Sequence, residues 1–269
     1  MSGPRRFCLL AAPFLPLLLA VSVSGQHADP PTGIRPEDTR SGYHFQSRET
    51  QGMQDDDLAN PGFLWVLKGE DLWRKAAGAA GKSCASCHQD AAKSMKGVAA
   101  RYPAFDARAG RVINLEQRIN QCRVDHQQTS PFIYESEDLL ALTVYVAHPS
   151  RGMPMQVTTD GPARPFFEAG RNLFLARQGQ LNLACKQCHE DQWGKQLRGD
   201  RISQGHGNAY PIYRLEWQTV GSLHRRLRSC SIGVRAEPYP YGAQEYVNLE
   251  LFLAWRARGL PIETPGVRR

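Results

Sequence analysis

Two five-residue stretches, CASCH (Cys84 to His88) and CKQCH (Cys185 to His189), place two thiols three residues apart with a histidine directly after the second. On one helical turn such thiols can add to the two vinyl groups of a haem, and the histidine is carried beneath the ring to ligate iron. One such stretch would also suit a redox dithiol or half a zinc site. Two in one chain of this size point instead to two covalently bound haem c groups. Cys84, Cys87, Cys185 and Cys188 are then the attachment thiols, with His88 and His189 as the first axial ligands.

The second axial position is harder to fill. Small cytochromes use a methionine on the loop before their last helix, but Met153 and Met155 follow that helix, and the second half has Leu260 at the matching place. Met95, seven residues past His88, is too close in sequence to reach the opposite face easily. Both halves instead offer a cysteine where the ligand is needed, Cys122 and Cys230. A disulfide between them is the plain alternative for an exported chain. Thiolate ligation is the preferred reading, with His126, His206 or His224 as substitutes, and it would favour ferric iron and a low potential. The segment HRRLRSC (His224 to Cys230) surrounds the second cysteine with cations, whereas the first has Glu116 among its arginines. If the segment is helical, Arg226 lies on the face of Cys230, where it would lower the thiol pKa and offer a donor fork to an oxyanion. Arg225 and Arg228 read as a solvated helix face.

The elements that position these residues are repeated. GEDLW (Gly69 to Trp73) precedes the first haem motif as GRNLF (Gly170 to Phe174) precedes the second. Downstream, YPAF (Tyr102 to Phe105) pairs with YPIY (Tyr210 to Tyr213), LEQRINQC with LHRRLRSC, and RGMP (Arg151 to Pro154) with RGLP (Arg258 to Pro261). Each copy reads as helix, haem motif, loop, short helix and longer helix, the last at Glu137 to His148 and Gln244 to Trp255. The expected fold is all-α: two tandem class I-like cytochrome c domains, 61–160 and 161–269, the second catalytic. An extended N-terminal arm rich in Pro, Gly and charge, 25–60, precedes them.

Residues 1–24 combine Arg5 and Arg6 with a short apolar core broken by Pro13 and Pro16, the form of a secretory signal. Of seven cysteines, Cys8 would leave with it. No later stretch has the ~20 apolar residues of a membrane span, so the expectation is a soluble periplasmic protein. The net charge of +7 suits anionic small molecules or acidic proteins. No basic stripe interleaved with aromatics is present, which argues against nucleic acid.

The paired haem motifs, the cysteine after each, the RRLRSC segment and the arm sequence SGYHFQSRETQGMQDDDLANPGFLWV (Ser41 to Val66) resemble the SoxA family. These are the di-haem subunits of the SoxAX cytochromes of thiosulfate-oxidising bacteria. The resemblance spans nearly the whole mature chain. It implies a mono-haem SoxX-like partner, a SoxYZ-like sulfur carrier, and an L-cysteine S-thiosulfotransferase that joins thiosulfate oxidatively to a carrier cysteine. The electrons would pass to an external cytochrome c acceptor. It also implies that Cys230 is the active-site cysteine, able to carry a persulfide and to ligate the second iron, with Arg226 as the substrate arginine and Cys122 as the first axial cysteine. The alternative is a periplasmic di-haem electron-transfer protein whose cysteines only set potential. The cationic segment in one copy alone favours the enzyme.

Overall fold

In a computed structural model of the chain, described at Gly3 and at residues 33–269, the same buried triad opens both copies. Helix α1 (Arg48–Asp55) lies in the arm, and α2 (Phe63–Arg74) buries Val66, Gly69 and Trp73. Its equivalent in the second copy buries Phe167, Gly170 and Phe174. The spacing i, i+3, i+7 is one stripe of a helix. The rest of the first copy comprises α3 (Ala85–His88), α4 (Ala91–Ser94), strands β1 (Ala104–Asp106) and β2 (Arg111–Ile113), α5 (Leu115–Cys122) and α6 (Glu137–Ala147). The second copy has α7 (Arg164–Leu175), α8 (Cys185–His189), β3 (Gln196–Leu197), β4 (Asp200–Arg201), β5 (Ile212–Arg214), β6 (Thr219–Gly221), α9 (Leu223–Gly233), α10 (Gln244–Arg256) and β7 (Gly266–Arg268).

The two glycines of the repeated pentapeptides mark the helix crossings, α2 on α6 and α7 on α10. A Cβ on Gly69 would stand 2.3 Å from the Ala141 carbonyl oxygen, and one on Gly170 would stand 2.0 Å from that of Asn248. Backbone cannot yield as a flexible side chain can. Gly170→Ala is therefore expected to cost about 2 to 4 kcal/mol and lower the apparent melting temperature. Gly52→Ala, in α1 with nothing within 4 Å, should be neutral or slightly stabilising in the same thermal scan.

The all-α expectation needs correction. Between haem motif and short helix each copy folds an antiparallel hairpin, Ala104 facing Ile113 in the first and Ile212 facing Gly221 in the second. Strand β7 adds to β5 in parallel, completing a three-stranded sheet ordered β6-β5-β7. These strands have three residues each, too short to show a period of two. Val66, Leu140 and Val144 of the first copy pack against Tyr213, Val220 and Val267 of this sheet, so the two copies share a core.

The extended-arm reading is corrected too, over the part described; residues 1–24 and 25–32 otherwise lie outside the described residues. Ser47 caps α1 by accepting from the Thr50 N–H at 3.3 Å. The arm docks through polar side chains, which is why no apolar period announces it. Gln54 accepts from the Val267 N–H at 3.0 Å, Asn60 donates to the Pro265 carbonyl at 2.9 Å, and Gln204 both accepts from the Arg40 N–H (2.7 Å) and donates to the Asp38 carbonyl (2.8 Å).

Equivalent segments of the copies also hold each other. RGMP and RGLP pair, with Met155 N–H donating to Leu260 O and Ile262 N–H to Met153 O, both at 2.8 Å. The N-cap of α5, Asn114, donates to Glu250 of α10 at 2.9 Å, and the N-cap of α9, Ser222, donates to Glu135 of the first copy at 2.5 Å. The short helices that carry Cys122 and Cys230 are thus each anchored by the other copy. His224, Tyr134, Glu116 and Glu250 fill the seam between them. The His224 ring stacks on Tyr134 at 5.0 Å. Burial holds both Glu116 and Glu250 above the usual carboxylate range.

Candidate functional site

Each C-x-x-C-H motif forms the single turn its chemistry needs, with α3 following Cys84 and α8 spanning Cys185 to His189. In the first copy Cys84, Cys87 and His88 line one side of a cavity of about 250 Å³ whose other walls include Cys122, His126, Arg118, Leu142 and Val146. Burial pushes the Cys84 thiol up to about 11, and neighbouring Cys122 adds to the effect. Trp73, at the end of α2, sets its ring 5.7 Å from that of His88 and donates to the Gln89 carbonyl at 2.9 Å. Met95 lines the same cavity. Met155 belongs to the core of the second copy, the plug its position after α6 suggests.

In the second copy the histidine is held more closely. His189 Nδ1 lies 2.7 Å from the Ser203 carbonyl oxygen, an acceptor, so Nδ1 carries the proton and Nε2 keeps its lone pair for a metal. Burial lowers His189 to about 4, with Arg256 and Arg226 adding, and so keeps the ring neutral and able to ligate. Gly205 adopts φ +73°, and a Cβ there would meet His189 Cγ at 2.9 Å, so this loop can pass the ring only as glycine. Burial pushes Cys185 up to about 11, Cys230 contributing next, and Cys188 also feels Cys230. Two thiols, an oriented imidazole and a third sulfur in one cluster fit a covalently attached haem.

All six described cysteines are unpaired, and in place of the disulfide alternative Cys122 stands by Cys84 of the first motif and Cys230 by Cys185 of the second. Two of the three substitute ligands are engaged elsewhere. His224 accepts the Gly242 N–H on Nδ1 at 3.0 Å and faces Glu250 at 3.4 Å, in the seam between the copies. His206 lies beside His189 with Nε2 3.2 Å from Gln204 Oε1. Only His126 remains at a cavity wall.

HRRLRSC is helical as expected, within α9, and Leu223 and Leu227 turn to the core. Arg226 lies four residues before Cys230 on the same face of α9, and the Cys230 sulfur is the largest influence on its guanidinium, raising its pKa. The solvated-face reading of Arg225 and Arg228 does not hold. Arg225 lies over the Trp217 ring at 4.4 Å, and Arg228 over Tyr241 at 4.7 Å while donating to the Tyr239 carbonyl. The aromatic partners come from the hairpin and from the loop after α9, and spacing within the helix says nothing about either. Sequence reasoning also missed Arg256, buried on α10 with Nη1 donating to Gln204 O at 2.8 Å and Nε 3.4 Å from Glu190. Its counterpart in the first copy is Pro149, so comparison of the repeats could have exposed it.

Among the described residues no helix is long and apolar enough to cross a membrane. The SoxA/TsdA cytochrome c domain family matches residues 68–155 and 169–262. The L-cysteine S-thiosulfotransferase subunit SoxA of Pseudaminobacter salicylatoxidans is 44% identical over 240 residues, covering 89% of this chain and 84% of that one. The same subunit of Rhodovulum sulfidophilum is 38% identical over 232 residues, covering 86% and 81%. Among solved structures, SoxXA from P. pantotrophus superposes with a TM-score of 0.82 at 36% identity, over 85% of this chain and 86% of that one.

Proposed function

This chain belongs to the SoxA family, a cytochrome c family with covalently bound haem, and from that premise we propose how its residues conjugate thiosulfate to a cysteine. The reaction is a sulfurtransfer coupled to oxidation. A carrier thiol R–SH and thiosulfate S2O3²⁻ give R–S–S–SO3⁻, a proton and two electrons: one S–S bond forms, the thiol S–H breaks, and an external c-type cytochrome accepts the electrons one at a time. Haem, when bound, supplies the one-electron couple that this release requires.

The reading rests on one observation: Cys230 stands with the thiols of CKQCH and beside Arg226, a half-buried guanidinium with no carboxylate in salt-bridge reach among the described residues. Cys230 presents its sulfur to the outer sulfur of thiosulfate and would also help to hold the iron of a haem tethered at CKQCH. Arg226 holds the sulfonate end. His189, fixed by Ser203, would hold the same iron, and His88 and Cys122 would hold that of a second haem in the first copy. The carrier is SoxYZ-like. A SoxX-like subunit completes the complex, and residues 1–24 direct export to the periplasm.

The test is thiosulfate-dependent reduction of cytochrome c by the haem-loaded chain with its partner subunit, in the presence of carrier. Arg226→Ala should lower kcat/KM roughly ten- to a hundredfold, the worth of one charge-assisted contact. Arg226→Lys should fall between, keeping charge but losing the fork. An Arg226→Ala variant with wild-type kcat/KM would remove the arginine from the site.

A further inference from the structure

The two copies diverge at one hairpin position whose partners reveal its use. In the first copy Arg118, four residues before Cys122, donates through Nη2 to Asp106 Oδ2 at 2.6 Å and through Nε to the Tyr102 hydroxyl at 3.0 Å. Both of these contacts belong to its own copy, and its charge is spent on buried Asp106. Hairpin and short helix are displaced between copies by the same 108 residues, which carries Tyr102 to Tyr210, Arg118 to Arg226 and Asp106 to Arg214. The acid that closes the first arrangement is an arginine in the second.

Arg214 is only 6% exposed, and its Nε is buried with no hydrogen-bond partner. Glu216, 3.2 Å from Nη2, is the carboxylate it meets among the described residues, and that side chain is 65% exposed. The Trp217 ring lies 5.2 Å from the guanidinium and supplies no anion. Burial and then Arg226 act most strongly on Arg214, and the Tyr210 hydroxyl feels Arg226, Arg214 and Cys230 together. Two largely desolvated guanidinia set near each other without a buried acid are unfavourable until an anion joins them. A dianion meets that need better than a monoanion.

We propose that Arg214 is a second substrate-binding residue, forming with Arg226 a two-arginine clamp for the sulfonate end of thiosulfate beside Cys230. The clamp rests on the reading that Cys230 is the site of sulfur chemistry. In the first copy, with the same cysteine and the same arginine four residues before it, Asp106 occupies the place that an oxyanion would take. A haem carboxylate could answer the same unpaired donors, so the test must separate the two anions.

Arg214→Gln, Arg214→Lys and Arg214→Asp are made in the haem-loaded chain with its partner subunit. Sodium thiosulfate affinity is read by calorimetry, KM and kcat by cytochrome c reduction, and haem content and spectrum by absorbance. For Arg214→Gln the expected result is a ten- to hundredfold rise in KM and in the calorimetric dissociation constant, the worth of one lost charge-assisted contact. kcat should fall less than threefold, with the haem spectrum unchanged. Arg214→Asp, which rebuilds the closed arrangement of the first copy, should lose more, and Arg214→Lys less. If Gln folds poorly, Lys and Asp still carry the comparison. Thiosulfate affinity within twofold of wild type in these variants overturns the clamp, and so does a shifted haem spectrum with unchanged affinity, which would assign Arg214 to a haem carboxylate. If Arg226→Ala lowers kcat/KM while Arg214→Gln keeps the wild-type KM, the clamp fails and the function stands; if Cys230→Ala stays active, the reading beneath both fails.

Discussion

Replacing Cys230 by alanine is expected to abolish thiosulfate-dependent coupling, a loss of at least about 10³-fold, or ~4 kcal/mol in the barrier. The substitution removes a sulfur that stands with Cys185 and Cys188, yet leaves both attachment thiols in place. Covalent haem content should therefore be unchanged, while the electronic signature of one site changes as it loses its thiolate. Helix α9 should persist, because its N-cap on Ser222 and its leucines facing the core do not involve position 230. Cys122→Ala removes the same atom from the other copy, where Asp106 already occupies the arginine. It should change the signature of the first site and lower coupling far less. A Cys230→Ala enzyme that still couples at the wild-type rate would move the sulfur chemistry to another subunit.

Removing both thiols of the second motif should have the next largest effect. With Cys185→Ala and Cys188→Ala, denatured protein should carry one covalent haem per chain where the parent carries two, measured by absorbance after acid acetone extraction, and coupling should vanish. Tethering matters because the remaining hold on a haem would be His189 and Cys230, and non-covalent ligands exchange while thioethers do not. The same pair of changes at Cys84 and Cys87 should also halve covalent haem, and the residual coupling would report how far turnover depends on the first site. Two covalent haems surviving in the Cys185/Cys188 variant, or none in the parent, would refute attachment at these motifs.

Much of this was legible in the sequence because it is local. A C-x-x-C-H turn is one helical turn wherever it sits, and a repeat with Gly at the same place in GEDLW and GRNLF fixes two equivalent crossings. The first, short and longer helices of each copy follow from apolar spacing and the repeat, and Arg226 reaches the face of Cys230 because both share α9. What stayed hidden depends on partners far away in sequence. Arg225 and Arg228 look solvated from α9 alone, and only the tertiary placement of Trp217 and Tyr241 covers them. Helix α1 offers only Met53 to the core and is otherwise secured by Gln54 to the backbone of Val267, a bond with no signature in either segment. His224, a ligand candidate by proximity to Cys230, is turned into the seam between the copies, where Gly242 and Glu250 of its own copy and Tyr134 of the other claim it.

Strand β7 gives the second copy a particular order of assembly. It pairs with β5 more than fifty residues upstream, and Gln54, which caps the Val267 N–H, lies 213 residues away. Contacts of such long range must close large loops before they return any stability, so they form late and slowly compared with the helices. The sheet that carries Arg214 is therefore completed late, after its local β5–β6 hairpin. During that interval the thiols of CKQCH remain on open chain, accessible to modification, and the anion site has no defined shape. Topology thus orders the assembly: the short-range hairpin precedes strand β7, and the surroundings of Arg214 are complete only when the two ends of the described chain have met.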